Sequence, residues 1–239
     1  MSRLIRLRTV GSTMDVLHEL AAGGAEAGTA IVAEEQTGGR GSRGRLWWSP
    51  PGGLWLSVLL RPRAAPGLEL FGLRIGLSVA EAIESLVPGM AIRIKWPNDL
   101  MVGERKLGGI LCEARWQGDS LAWVVAGVGI NVANPVPEDL TDTAATLHEW
   151  LPGVGPDTVE PEVTARLRGL APDLERLGTA ELSALRSRDW LAGRRLRAPV
   201  SGTAAGLSDG GALLVTVESG ATVALKAGTI ELADPTFTP

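Results

Sequence analysis

The chain has 239 residues, with 27 acidic against 23 basic side chains, a net charge of −4 and an isoelectric point near 5.3; that balance argues against general attraction to nucleic acid. Hydrophobic residues at 45% and charged residues at 21% are the proportions of a soluble globular protein with a sizeable core, and no run approaches the ~18 apolar residues of a membrane span. Cys112 is the only cysteine, and His18 and His148 are the only histidines, which excludes an internal disulfide and a His/Cys zinc cluster and fits a reducing cytoplasm.

Met1 to Arg8 alternates charged and apolar residues, the pattern of a strand and not of a signal peptide. Ser12-Thr13-Met14-Asp15 is a capping start for a helix over residues 16–22, ended by Gly23-Gly24. Residues 29–33 read as a buried strand running into residues 37–48, a segment with Arg40, Arg43 and Arg45 and no acid. Its glycines let the backbone approach a ligand closely, its guanidinium forks match phosphate and carboxylate geometry, and Trp47-Trp48 close it with rigid surfaces. It reads as a clamp for a small anion.

Pro50 to Gly53 turns the chain into a strand over residues 54–60. Residues 68–87 have helical spacing, with Phe71, Ile75, Val79 and Ile83 at intervals of four. Residues 91–95 alternate as a strand whose end carries Trp96-Pro97-Asn98-Asp99. Residues 107–114 and 121–128 read as paired strands around Gln117-Gly118-Asp119. Helical stretches follow around residues 141–150, 159–170 and 180–191. From Arg194 onward come short strands with turns at Ser208-Asp209-Gly210-Gly211 and Glu218-Ser219-Gly220, the pattern of a small β-barrel. The expected architecture is a mixed α/β domain over residues 1–191 and a small all-β domain over residues 192–239.

Only Lys95, Lys106 and Lys226 are lysines among the basic residues; a lysine kept against an arginine-rich background either answers a need for a compact ammonium or is a leftover surface residue. Trp96-Pro97-Asn98-Asp99 sits at a strand end, where Asn98 offers an amide for an adenine edge and Asp99 a carboxylate for magnesium carrying phosphates; alone it is also good turn chemistry. Lys106-Leu107-Gly108-Gly109 lets a ligand lie on the backbone, or is a glycine bulge beside an exposed lysine. Gly127-Val128-Gly129-Ile130-Asn131 lacks the third glycine and the helix of a dinucleotide fingerprint.

Together the segments at 39–47, 95–99, 106–113 and 127–131 resemble, in order and spacing, the biotin protein ligase family. That family shows a Gly-Arg-Gly-x-x-Gly-Arg-x-Trp loop, a Lys-Trp-Pro-Asn-Asp element, a Lys-x-Gly-Gly-Ile-Leu-x-Glu strand and a Gly-x-Gly-Ile-Asn strand. Ser12-Thr13 and Gln36 match positions where the family holds biotin. Gly210-Gly211-Ala212-Leu213-Leu214 and Gly228-Thr229-Ile230-Glu231-Leu232 look like its SH3-like cap.

The resemblance implies an α/β (α+β) fold: a class II synthetase-like catalytic domain of mixed β-sheet with flanking helices, and a C-terminal SH3-like β-barrel. It implies ATP-dependent activation of biotin as biotinyl-5′-AMP, then transfer to a lysine of a biotin carboxyl carrier protein. Lys106 and Arg40 take the catalytic roles. Ser12, Thr13, Gln36, Arg40, Gly41, Ser42 and Lys106 hold biotin; Arg40, Arg43, Arg45, Trp47, Asn98 and Asn131 serve the nucleotide; Asp99 is the Mg2+ ligand. A helix-turn-helix module, which some relatives carry ahead of the first strand, has no room here, so DNA binding is not expected. Residues 107–114 or 121–128, as exposed strands, leave a homodimer open.

Ser42 stands where many members have arginine, which implies a looser hold on the adenylate. Met14 replaces a frequent asparagine, and Ala144-Ala145 offers no aromatic to stack on adenine. A lipoate–protein ligase of the same fold and a non-catalytic biotin- or nucleotide-binding protein are the alternatives.

Overall fold

The computed structural model describes residues 3–62, 67, 70–170 and 176–233; the expected strand start at Met1 and helix start at Leu68 lie outside them. Strand β1 (Leu4–Val10) and strand β2 (Ala30–Gln36) run parallel because helix α1 (Thr13–Ala22) returns the chain between them. Ser12 caps α1, its hydroxyl accepting from the Met14 amide, and Gly23 ends it. Strand β3 (Leu54–Leu60) is buried along its whole length, as its unbroken apolar run requires of a strand covered on both faces.

Helix α2 (Phe71–Leu86) follows, with Phe71, Ile75, Val79 and Ile83 all buried. Strands β4 (Arg93–Lys95), β5 (Asp99–Val102), β6 (Arg105–Gln117) and β7 (Ser120–Ile130) complete a seven-stranded sheet of order β1-β2-β3-β7-β6-β5-β4. All its neighbours except β1 and β2 are antiparallel. Strand alternation sends Ile31, Leu59 and Val125 to one face, against Met14 and Leu17 of α1. Ala30, Val32, Leu56 and Val58 go to the other, against α2 and helix α3 (Pro156–Arg168).

Three expectations change. Residues 121–128 are not an edge strand, since β7 lies between β3 and β6; of residues 107–114, those up to Gly109 pair with β5, and from Leu111 to Ala114 β6 has β7 as its one described strand neighbour and is open on its other side. Residues 141–150 form only a short 3-10 turn at Leu147–Glu149. Their backbone is committed elsewhere, since Lys106 N–H donates to Thr143 O (2.7 Å) and Ala145 N–H donates to Lys106 O (2.9 Å). Helix α4 (Thr179–Ser187) stops short of 191 because the next residues pair with β4: Ile94 N–H donates to Arg188 O and Trp190 N–H to Ile94 O.

A second sheet holds β8 (Arg195–Ala198), β9 (Gly202–Leu207), β10 (Leu213–Thr216), β11 (Thr222–Leu225) and β12 (Glu231–Leu232), in the order β11-β10-β9-β8-β12. Its Leu196, Leu207, Leu213 and Val215 share one apolar cluster with α2. Trp96 Nε1–H donates to Gly211 O at 2.9 Å, so the turn after β4 is anchored in this sheet. Among the described residues no helix is long and apolar enough to cross a membrane.

Candidate active site

The ends of β2, β6 and β7, the start of α1 and the loop at residues 39–48 enclose a cavity of about 330 Å³. Ser12, Thr13, Gln36, Arg40, Gly41, Ser42, Arg45, Trp47, Asn98, Asp99, Lys106 and Asn131 all line it. Arg43 does not. It takes the left-handed conformation (φ 61°, ψ 35°) at the tip of the loop and points to solvent. The loop closes on itself around that tip, Gly41 N–H donating to Arg45 O (2.7 Å). Ser42 accepts from Arg45 Nη2 at 3.0 Å, so the serine that stands in an arginine position here steadies a neighbouring arginine.

One end of the cavity is built on a chain of neutral hydrogen bonds. Thr13 donates its N–H (2.9 Å) and its hydroxyl (3.0 Å) to Gln36 Oε1. With that proton committed, Thr13 Oγ1 accepts from Ser57, which is fully buried, at 2.8 Å. Gln36 Nε2 donates to Ser49 Oγ (2.9 Å), and Ser49 donates to the Trp47 carbonyl (2.9 Å). The relay passes under Gly39, where a Cβ would fall 2.5 Å from Ser49 Oγ and 2.6 Å from Trp47 O. Ser49 and Ser57 were not among the residues singled out in the sequence. The one signal for Ser57 is a hydroxyl inside an otherwise apolar strand.

The other end is cationic. Arg40, Arg45 and Lys106 face a lining whose only carboxylate is Asp99. A β-bulge between Leu100 and Met101 pairs Met101 with Lys106 and Leu100 with Gly108. In a regular strand Lys106 and Gly109 would point to opposite faces; the bulge puts them on one. There Lys106 Nζ meets Asp99 Oδ1 at 2.7 Å and lies 4.9 Å from the Trp47 ring centroid. Trp47 itself lies on Gly129, where a Cβ would fall 2.6 Å from Trp47 Nε1. That indole N–H is buried and has no hydrogen-bond partner among the described residues.

Arg40 donates from Nη1 to both Asp15 oxygens (2.7 Å each) and from Nε to Glu113 Oε1 (3.2 Å). Asn98 Nδ2 donates to Ile110 O (2.6 Å), tying the turn after β4 to β6. Asn131 Oδ1 accepts from Asn134 Nδ2 (3.3 Å) and is buried with it. Lys95 lies over the Trp190 ring, 5.0 Å from its centroid. Burial, then the neighbouring Lys106, Arg194 and Arg45 against the opposing pull of Asp99, hold its ammonium below the usual lysine range. Among the described residues no group of three His, Cys, Asp or Glu side chains is placed to hold a metal.

The arrangement suits a ligand with a neutral polar head at one end and anionic oxygens at the other. A sequence model described as the biotin/lipoate A/B protein ligase family matches residues 7–131. The chain is 33% identical over 238 residues to the biotin–[acetyl-CoA-carboxylase] ligase of Mycobacterium tuberculosis, covering 93% of this chain and 86% of that one. It is 38% identical over 154 residues to the bifunctional ligase/repressor BirA of Bacillus subtilis, covering 61% of this chain but only 46% of that protein, so it spans about half the length of such relatives. The solved structure of the biotin protein ligase from Aquifex aeolicus in complex with biotin and ATP superposes with a TM-score of 0.79 at 31% identity, covering 97% and 99% of the two chains.

Proposed function

The chain belongs to the biotin/lipoate A/B protein ligase family, and we propose that within it the chain is an ATP-dependent biotin ligase acting on a biotin carboxyl carrier domain. In the first step a biotin carboxylate oxygen attacks the α-phosphorus of ATP. The bond to the β-phosphate breaks, pyrophosphate leaves, and biotinyl-5′-AMP forms. In the second step the carrier's lysine nitrogen attacks the acyl carbon. An amide forms, AMP leaves with the C–O bond electrons, and the amine gives up its proton.

The observation that carries this reading is the division of the cavity: a relay of hydroxyls and an amide at one end, and Arg40, Arg45 and Lys106 at the other, where Asp99 is the one carboxylate of the lining and Asp15 and Glu113 pair Arg40 from outside it. Ser12, Thr13 and Gln36 receive the ureido ring, a neutral group that needs both donors and acceptors. Lys106 sits where a carboxylate and an α-phosphate must meet, and its point charge offsets their repulsion and stabilises the charge that develops in transfer. Arg40, Gly41, Ser42, Arg43 and Arg45 form the lid that keeps water from the mixed anhydride. The buried Trp47 N–H supplies a donor to the adenylate, and Asn98 and Asn131 bound the nucleotide end. Asp99, the one carboxylate in the lining, would hold a Mg2+ brought with ATP, which would supply charge to offset the phosphates. Residues 1–191 carry this chemistry, and residues 192–239 act as an SH3-like cap. The neutral relay also separates this reading from a lipoate ligase, whose acyl chain has no ureido group to fill it.

The test is mass spectrometry of a biotin carboxyl carrier domain incubated with the chain, biotin and ATP. One biotin added per carrier, dependent on ATP, is expected; no addition, or equal addition of lipoate to a lipoyl domain, contradicts the reading.

A further inference from the structure

Arg40 is fully engaged before any ligand arrives. Its Nη1 takes both oxygens of Asp15, and its Nε and Nη2 take the two oxygens of Glu113 at 3.2 and 3.4 Å. The guanidinium that lines the cationic end of the cavity is thus already paired with two of the protein's own carboxylates. A substrate anion can reach it only by exchange.

The two carboxylates are held very differently. Asp15 stands in the first turn of α1 with its side chain 57% exposed, and Arg40 is its only described partner. Glu113 is 22% exposed and is gripped from several sides: His18 Nε2 lies 3.1 Å from Oε2, and Arg115 Nη2 lies 3.5 Å away. The tautomer of His18 is set as well. Trp123 Nε1–H, which can only donate, points at His18 Nδ1 at 3.0 Å, so the ring proton is on Nε2 and faces Glu113. Trp123 is pinned in turn beneath Arg61, whose guanidinium carbon lies 5.6 Å from the ring centroid and whose Nη2 donates to Ala21 O at the end of α1.

We propose that Asp15 and Glu113 divide the control of Arg40: Asp15 is an internal anion that the substrate's anion displaces, and Glu113, braced by His18, is a positioning residue that keeps Arg40 aimed into the cavity throughout. The proposal rests on the ligase reading above. An exposed, singly partnered carboxylate gives way at little cost, whereas Glu113 has three groups fixing its place and cannot follow the ligand. Arg40 therefore pivots about its Nε–Glu113 contact, releasing its Nη1 edge to the incoming anion.

The two roles predict opposite kinetic signatures in biotin-dependent release of pyrophosphate. Asp15→Asn removes the competitor, so the KM for biotin falls roughly two- to five-fold, the scale of an exposed ion pair, with kcat retained. Glu113→Gln loosens the guanidinium, so kcat falls about ten- to a hundred-fold from misplacement alone. His18→Gln, which can still present an N–H to Glu113, keeps most of kcat; His18→Leu does not, and replaces Glu113→Gln as the decisive variant should that chain fail to fold. A merely structural network would lower the melting temperature of each variant without splitting KM from kcat. An unchanged or raised KM in Asp15→Asn, or an unchanged kcat in folded Glu113→Gln, overturns the proposal. A wild-type chain that releases no pyrophosphate with biotin strikes the ligase reading itself.

Discussion

The two ends of the cavity are satisfied in different ways. At the neutral end, Ser57, Thr13, Gln36, Ser49 and the Trp47 carbonyl complete one another's hydrogen bonds. Thr13, Gln36 and Ser57 sit on the start of α1, on β2 and on β3, and Ser49 and Trp47 on the segment between β2 and β3, the relay being closed without a ligand. At the charged end, Arg40 and Lys106 are satisfied by carboxylates, Asp15, Glu113 and Asp99. Those pairs are partly solvated and must be rearranged for a substrate to enter. On the proposed ligase reading, recognition of the neutral head is pre-organised, while handling of the anions is an exchange of ion pairs and so responds to salt and pH.

Variants at each end separate the two. Lys106→Ala removes the one ammonium in the cavity lining and is expected to lower adenylation by about 100- to 1,000-fold. Affinity for biotin, measured calorimetrically, should change far less. Gly129→Ala drives a Cβ to 2.6 Å from Trp47 Nε1. The indole must move off β7, with a loss of about 1–3 kcal/mol in stability and a fall in turnover, read by thermal melting and by pyrophosphate release. At the neutral end, Ser57→Ala strands a buried hydroxyl contact of Thr13 and should weaken biotin binding by about 1 kcal/mol; that loss should be the same at low and high salt, whereas the KM for ATP should rise with salt.

The smallest effect is on stability against pH. Burial, then Arg115, holds the His18 ring below its ordinary value of 6.5, outweighing the opposing pull of Glu113. The folded state therefore prefers the neutral ring. That contribution is fully present above pH 6.5 and is lost as pH falls through the lower folded value. Melting temperature should decline in that acid window, and His18→Gln should flatten the decline.

Motif residues far apart in the chain, Arg40 with Trp47, Asn98 with Asp99, Lys106 and Asn131, were legible by type and spacing, and all of them meet at one cavity. What holds them was not. Ser57 lies 44 residues from Thr13, and His18 lies 95 from Glu113; such partners are set by strand register and by the packing of α1, which no local pattern encodes. The helix expected at residues 141–150 failed for the same reason: its backbone is paired with Lys106, a long-range bond that overrides local propensity. The bulge at Leu100 and Met101 that turns Lys106 to Asp99 leaves no sequence mark beyond the two glycines that follow.

The most direct test of the account is release of pyrophosphate from ATP by the purified chain, measured with biotin, with lipoate and with neither, in wild type and in Lys106→Ala. The account predicts release that requires biotin, is not supported by lipoate, and is lost in Lys106→Ala while biotin still binds. Release that is equal with lipoate, or undiminished without Lys106, would contradict it.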